Sequence, residues 1–129
     1  MRKAAWFALT ALVAVGWLSA ASPVWAAPAH GTISISNQSV GTGSIKCSGP
    51  YTVDSNNGWS VSSITLYAYP QAGGAQSSQG ATFGGGNWGP TTISGLTSGV
   101  KYTVYAQMII MNGANSQTIN SATTTLTPN

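Results

Sequence analysis

One acidic residue in 129 is the most conspicuous shortage. Asp54 stands against four Lys or Arg, and the chain has one histidine and one cysteine. Acid–base catalysis by carboxylates takes two such groups, or one with a tuned partner; here Asp54 and the C-terminus are the whole supply. A Ser–His–acid arrangement has to use His30, which is the fourth residue of the expected mature chain, where chains are usually mobile. Zinc takes three or four protein ligands, and His30, Cys47 and Asp54 follow no ligand spacing. The expectation is a protein that is not an enzyme, with no cofactor and no metal.

Positive charge is scarce as well, and half of it sits in a leader. Met1, Arg2 and Lys3 precede an apolar run from Ala4 to about Ala21, and Val24-Trp25-Ala26 supplies the small residues that a signal peptidase reads. Gly16, Ser19, Ser22 and Pro23 crowd the end of that run, leaving it short of the ~20 apolar residues of a spanning helix. Residues 1–26 are therefore expected to be a cleaved signal peptide and 27–129 a single domain, exported to the cell surface, the periplasm or the medium. No cysteine stands just after the cut to carry a lipid. The remainder keeps Lys46, Lys101 and Asp54, a formal balance of 2 − 1 = +1. Nucleic acid needs a cluster of Lys and Arg on its phosphates, so that partner is excluded.

With Cys47 alone, no intrachain disulfide exists. Its place in the alternating run Ile45-Lys46-Cys47 favours burial as a small hydrophobe over a link between chains. More than half of residues 27–129 are Ser, Thr, Asn, Gln or Gly, a composition that often fails to fold. Disordered chains, however, carry high net charge and few β-branched or aromatic residues. Here Ile, Val, Tyr and Trp recur with a clear period.

That period is two. Residues 31–37, 43–53 (interrupted near Gly49-Pro50), 62–70, 91–96, 101–111 and 117–126 read as strands. Asn57-Gly58 and Asn112-Gly113 are turn signals, the second of hairpin type. Residues 71–90 hold only Phe83 and Trp88 as large apolar groups and read as a long loop with one short edge strand at most. No window has a helical period. About seven short strands in some hundred residues is the pattern of an all-β, antiparallel two-sheet sandwich, with a small closed barrel as the alternative.

Leu96-Thr97-Ser98-Gly99-Val100-Lys101-Tyr102 resembles the corner between strands E and F of fibronectin type III domains, an immunoglobulin-like sandwich. The resemblance covers Ile93 to the C-terminus well and the first half only by strand count. It implies that the Tyr102 hydroxyl bonds nearby backbone while its ring packs beneath the turn. It also implies that Tyr102, Val104, Ala106 and Met108 face inward.

If those four are core, Tyr105, Ile109 and Met111 point outward. Burying Ile64, Leu66 and Ala68 likewise exposes Tyr67 and Tyr69. The expected interaction face, for an unknown protein partner or for self-association, is thus Tyr67, Tyr69, Tyr105, Ile109 and Met111, unless residues 71–90 fold over it. The alternative is a small carbohydrate-binding module. Trp59 and Trp88, placed in loops beside Asn and Gln, would stack on a neutral glycan, or instead plug the ends of the sandwich. Lys46, Lys101 and Asp54 nominally supply an isopeptide cross-link, but Asp54 sits in a turn-like DSNNG segment. Asn37-Gln38-Ser39 is a glycosylation sequon of a kind that arises by chance in such chains.

Overall fold

Residues 28–129 are described by a computed structural model; the expected leader, residues 1–26, lies outside the described residues. Among the described residues, alternation has become ten strands, β1 (Gly31–Ile33), β2 (Asn37–Gly41), β3 (Ser44–Val53), β4 (Ser60–Pro70), β5 (Ser77–Ala81), β6 (Phe83–Gly84), β7 (Asn87–Ile93), β8 (Tyr102–Asn112), β9 (Asn115–Asn120) and β10 (Thr124–Leu126). One sheet runs β9-β8-β4-β5 with β10 also on β8; the other runs β1-β3-β7-β6 with β2 also on β3. Every pairing is antiparallel. The fold is an all-β, two-sheet antiparallel sandwich. Among the described residues, the helical content is a 3-10 turn at Ser55–Asn57, and no helix is long and apolar enough to cross a membrane.

Ten strands replace the expected seven chiefly because two ribbons are broken. β1 and β2 lie successively along β3, and β9 and β10 lie successively along β8. The break at residues 121–123 is held by Ser121, whose N–H donates to Ala106 O and whose hydroxyl accepts from Ala106 N–H at 2.9 Å. The expected interruption at Gly49-Pro50 does not break β3, which is continuous; instead β7 carries an extra residue where the register shifts between Cys47 and Gly49. Residues 71–90 are not mainly loop. β5 joins the edge of the first sheet, and β6 with the start of β7 forms a hairpin on the second.

The core lies between the sheets. β4 contributes Ile64, Leu66 and Ala68, and β8 contributes Tyr102, Val104, Ala106, Met108 and Ile110, against Ile33, Ile45, Cys47, Trp88 and Ile93 of the other sheet. Strict alternation of buried and half-buried residues along β8 from 102 to 110 is what one core-facing side requires of a pleated strand. At the corner after β7, Thr97 N–H donates to the Tyr102 hydroxyl at 3.0 Å, over the buried ring of Tyr102 and buried Leu96. Asn112-Gly113 closes the β8–β9 hairpin, with Gly113 at φ 62°, a conformation that disfavours a side chain. Cys47 is buried as a free thiol.

Candidate binding face

The central strands β4 and β8 set the outer face of the first sheet. Their register places Tyr67 opposite Tyr105, Thr65 opposite Gln107 and Tyr69 opposite Thr103. Paired residues on one face bring side chains into contact. The Tyr67 and Tyr105 rings stack, with centroids 5.2 Å apart and planes at 19°, while Tyr69 meets Tyr105 at 6.2 Å and 70°. Ile109 lies opposite Ser63 on β4 and Thr118 on β9, and Met111 opposite Ser60 and Ser116.

All five expected residues therefore share one face. The three tyrosines form a cluster, whereas Ile109 and Met111 stand at the far end beyond Thr65 and Gln107. Tyr69 and Met111 are 37% and 39% exposed; Tyr67, Tyr105 and Ile109 are half-buried. The segment after β4 rims this face: Gln76 reaches the Tyr105 hydroxyl at 3.4 Å, while β5 prolongs the sheet sideways. Lys46, Asp54 and Lys101 contribute nothing to the face, for Lys46 is on β3, Asp54 follows that strand and Lys101 precedes β8.

Of the two expectations for the tryptophans, burial stands and the glycan site is corrected. Trp59 is 8% exposed and Trp88 1%, so neither offers an indole face to a sugar. Trp88 is not in a loop. It stands in β7 opposite Gly49 and donates its indole N–H to Ser34 O at 2.9 Å. Trp59 follows the 3-10 turn and packs under the His30 ring, with centroids 4.6 Å apart and planes at 13°.

His30 is likewise not the mobile residue its position suggested. Its N–H donates to Gln117 Oε1 at 2.9 Å and its carbonyl accepts from Asp54 N–H at 2.8 Å. Its Nδ1 lies 2.9 Å from Asp54 Oδ2. Asn57 Nδ2 donates to both Asp54 carboxylate oxygens, at 3.0 and 2.9 Å. The His30 hydrogen bond, and secondarily that from Asn57, holds the Asp54 carboxyl below its ordinary pKa. This group clasps the start of β1 to the β3–β4 connection. It is invisible in sequence because its members come from residues 30, 54, 57, 59 and 117. Lys46 and Lys101 are both exposed, and the Asp54 carboxylate is bonded to His30 and Asn57. The parts of an isopeptide site are thus not brought together.

Burial pushes the Cys47 thiol up to about 11. Among the described residues, no three His, Cys, Asp or Glu gather as metal ligands. No protein-family model matches this chain, and no curated protein matches it.

Proposed function

We propose that this chain is an exported, non-catalytic recognition module that docks a protein onto the outer face of β9-β8-β4-β5. The observation that carries the reading is the tyrosine cluster on an uncharged sheet face, with Tyr69 and Met111 exposed. Tyrosines and methionines are favoured, and charged residues depleted, at the centres of protein interfaces. The fold is taken to be fibronectin type III-like, with β4 and β8 adjacent as its strands C and F and with the tyrosine corner leading into β8. Residues 27–129 would then be the mature single domain, after removal of residues 1–26.

The test uses benzoylphenylalanine introduced at Thr65, in the centre of this face, and separately at Thr92, exposed on the other sheet. Irradiation in the native extracellular setting is expected to give a discrete protein adduct from Thr65 and none from Thr92. Adducts from both positions alike, or from neither, would overturn the assignment.

A further inference from the structure

Beyond protein docking, we infer that the outer face holds a binding site for a neutral oligosaccharide in a hollow beside Tyr105. The hollow has a volume of about 570 Å³, within the range of small-molecule sites. One wall is Tyr69 with Gly74 and Gln76 of the segment that follows β4; the other is Asn120 with Ser121 and Thr123, and Tyr105 stands between them. Two local departures from regular strand make this space. Residues 121–123 leave the ladder between β9 and β10, and Gly73 and Gly74 turn the opposite segment at φ 98° and 131°.

The chemistry of the lining selects the ligand class. It has no Lys, Arg, His, Asp or Glu, so a charged ligand entering it would lose hydration without a counter-charge. A purely apolar ligand would strip water from Gln76, Asn120 and Thr123 and give nothing back. A peptide adding itself as a strand needs an open edge, but β4 lies between β5 and β8, and β8 between β4 and the β9–β10 ribbon, whose gap is taken by Ser121 bonded to Ala106. A pyranose has what remains to be matched, namely an apolar C–H face for an aromatic ring and hydroxyls that both donate and accept. Tyr69 and Tyr105 meet at 70°, so they offer a corner rather than one flat plate. Gln76 and Asn120 supply amides at the rim, and each amide donates and accepts. Tyr67 lies against the Tyr105 ring at 5.2 Å without lining the hollow, which fixes the ring's orientation before a ligand arrives.

The experiment is a titration of the isotopically labelled exported protein, followed by amide chemical shifts. Cellotetraose, chitotriose and mannotriose are the probes, with trigalacturonate as the charged control. Saturable shifts are expected at residues 69, 76, 105, 120 and 123 at about 1–10 mM ligand, as suits an open site, with no response to trigalacturonate. Tyr69→Ala, at an exposed position, is expected to weaken binding by about tenfold, the loss of one aromatic contact. Thr123→Asp is expected to abolish it, and Thr92→Ala to leave it unchanged. Cellotetraose or chitotriose alone would point to a structural polysaccharide, and mannotriose to a glycan on a glycoprotein. An absence of saturable shifts with all three, or shifts outside the hollow, would overturn the site. A protein adduct from Thr65 with no saccharide response would leave the docking reading standing and this one refuted.

Discussion

Replacing Tyr102 by Phe isolates one atom of the corner between β7 and β8. The ring is 5% exposed and belongs to the same core as Leu96, and Phe keeps that packing. What goes is the hydroxyl that accepts from Thr97 N–H at 3.0 Å. A net hydrogen bond is worth about 0.5–1.5 kcal/mol, with more lost where the abandoned partner stays buried. Thr97 is exposed, so water can rehydrate its N–H, and the loss should be about 1 kcal/mol. For a domain of this size that is a fall of about 4 °C in Tm. Urea unfolding should show a lower midpoint at unchanged slope, the mark of a lost native contact rather than a changed unfolded state. Tyr105→Phe is the internal control: its hydroxyl takes only the exposed 3.4 Å contact from Gln76, and its effect should stay within about 0.5 kcal/mol. If the two variants are equally stable, the corner bond carries no weight and the account of this turn is wrong.

Three further outcomes follow from the same packing. Cys47, with its thiol pushed up to about 11 by burial, should ignore Ellman's reagent in the native protein, give one thiol per chain in denaturant and leave no reducible dimer on a gel; rapid native labelling would contradict its burial. Gly49→Ala places a Cβ inside the van der Waals sphere of Ser34 O, where β1 gives way to β2, and should cost at least the roughly 1–3 kcal/mol of an overpacked core, whereas Gly84→Ala meets open space and should be nearly silent in the same melt. Because His30 and Asn57 hold the folded Asp54 carboxyl below its ordinary pKa, its contribution is present above about pH 4 and disappears as pH falls through the lowered value; in Asp54→Asn that acid-side loss should be smaller, and an identical acid profile would refute the clasp.

Legibility in the sequence followed the mechanics of each strand. β4 and β8 lie inside their sheet with one face on the core, so their side chains must alternate, and the inward set from Tyr102 to Met108 was readable at once. β5, Ser77–Ala81, is an edge strand and carries no large apolar residue; its place is fixed by backbone pairing to β4, which composition does not record. The strand placement of Trp88 was missed for a different reason. Gly and Asn around Trp88 signal a turn locally, yet a small domain poor in large apolar residues has to spend its indoles on the core. The bulge opposite Gly49 then turns Trp88 inward. His30 was discounted from its position near the chain start, although partners 24 and 87 residues away hold it.

The two outer faces offer a comparison within one molecule. Both belong to antiparallel sheets of similar size, and both need residues that suit a pleated, half-solvated surface. The second sheet meets that need with Thr32, Lys46, Thr52 and Thr92, all exposed, and a hydroxyl pair at 2.6 Å joins Thr32 to Thr52. β-branched and hydroxyl-bearing side chains of this kind are enough to sustain a strand pair. A pleated strand pair would also form with threonines at 67, 69 and 105. The first sheet instead carries three tyrosines in mutual contact, leaves one of them 37% exposed, and opens beside them a hollow free of charged side chains. A tyrosine pair adds some stability of its own, about 0.5–1.5 kcal/mol for aromatic contact. That gain, however, requires neither the exposed third ring nor the break in the β9–β10 ribbon that forms the hollow's far wall. The asymmetry between the faces is therefore the part of this fold that packing does not require, and it is what the proposed docking rests on.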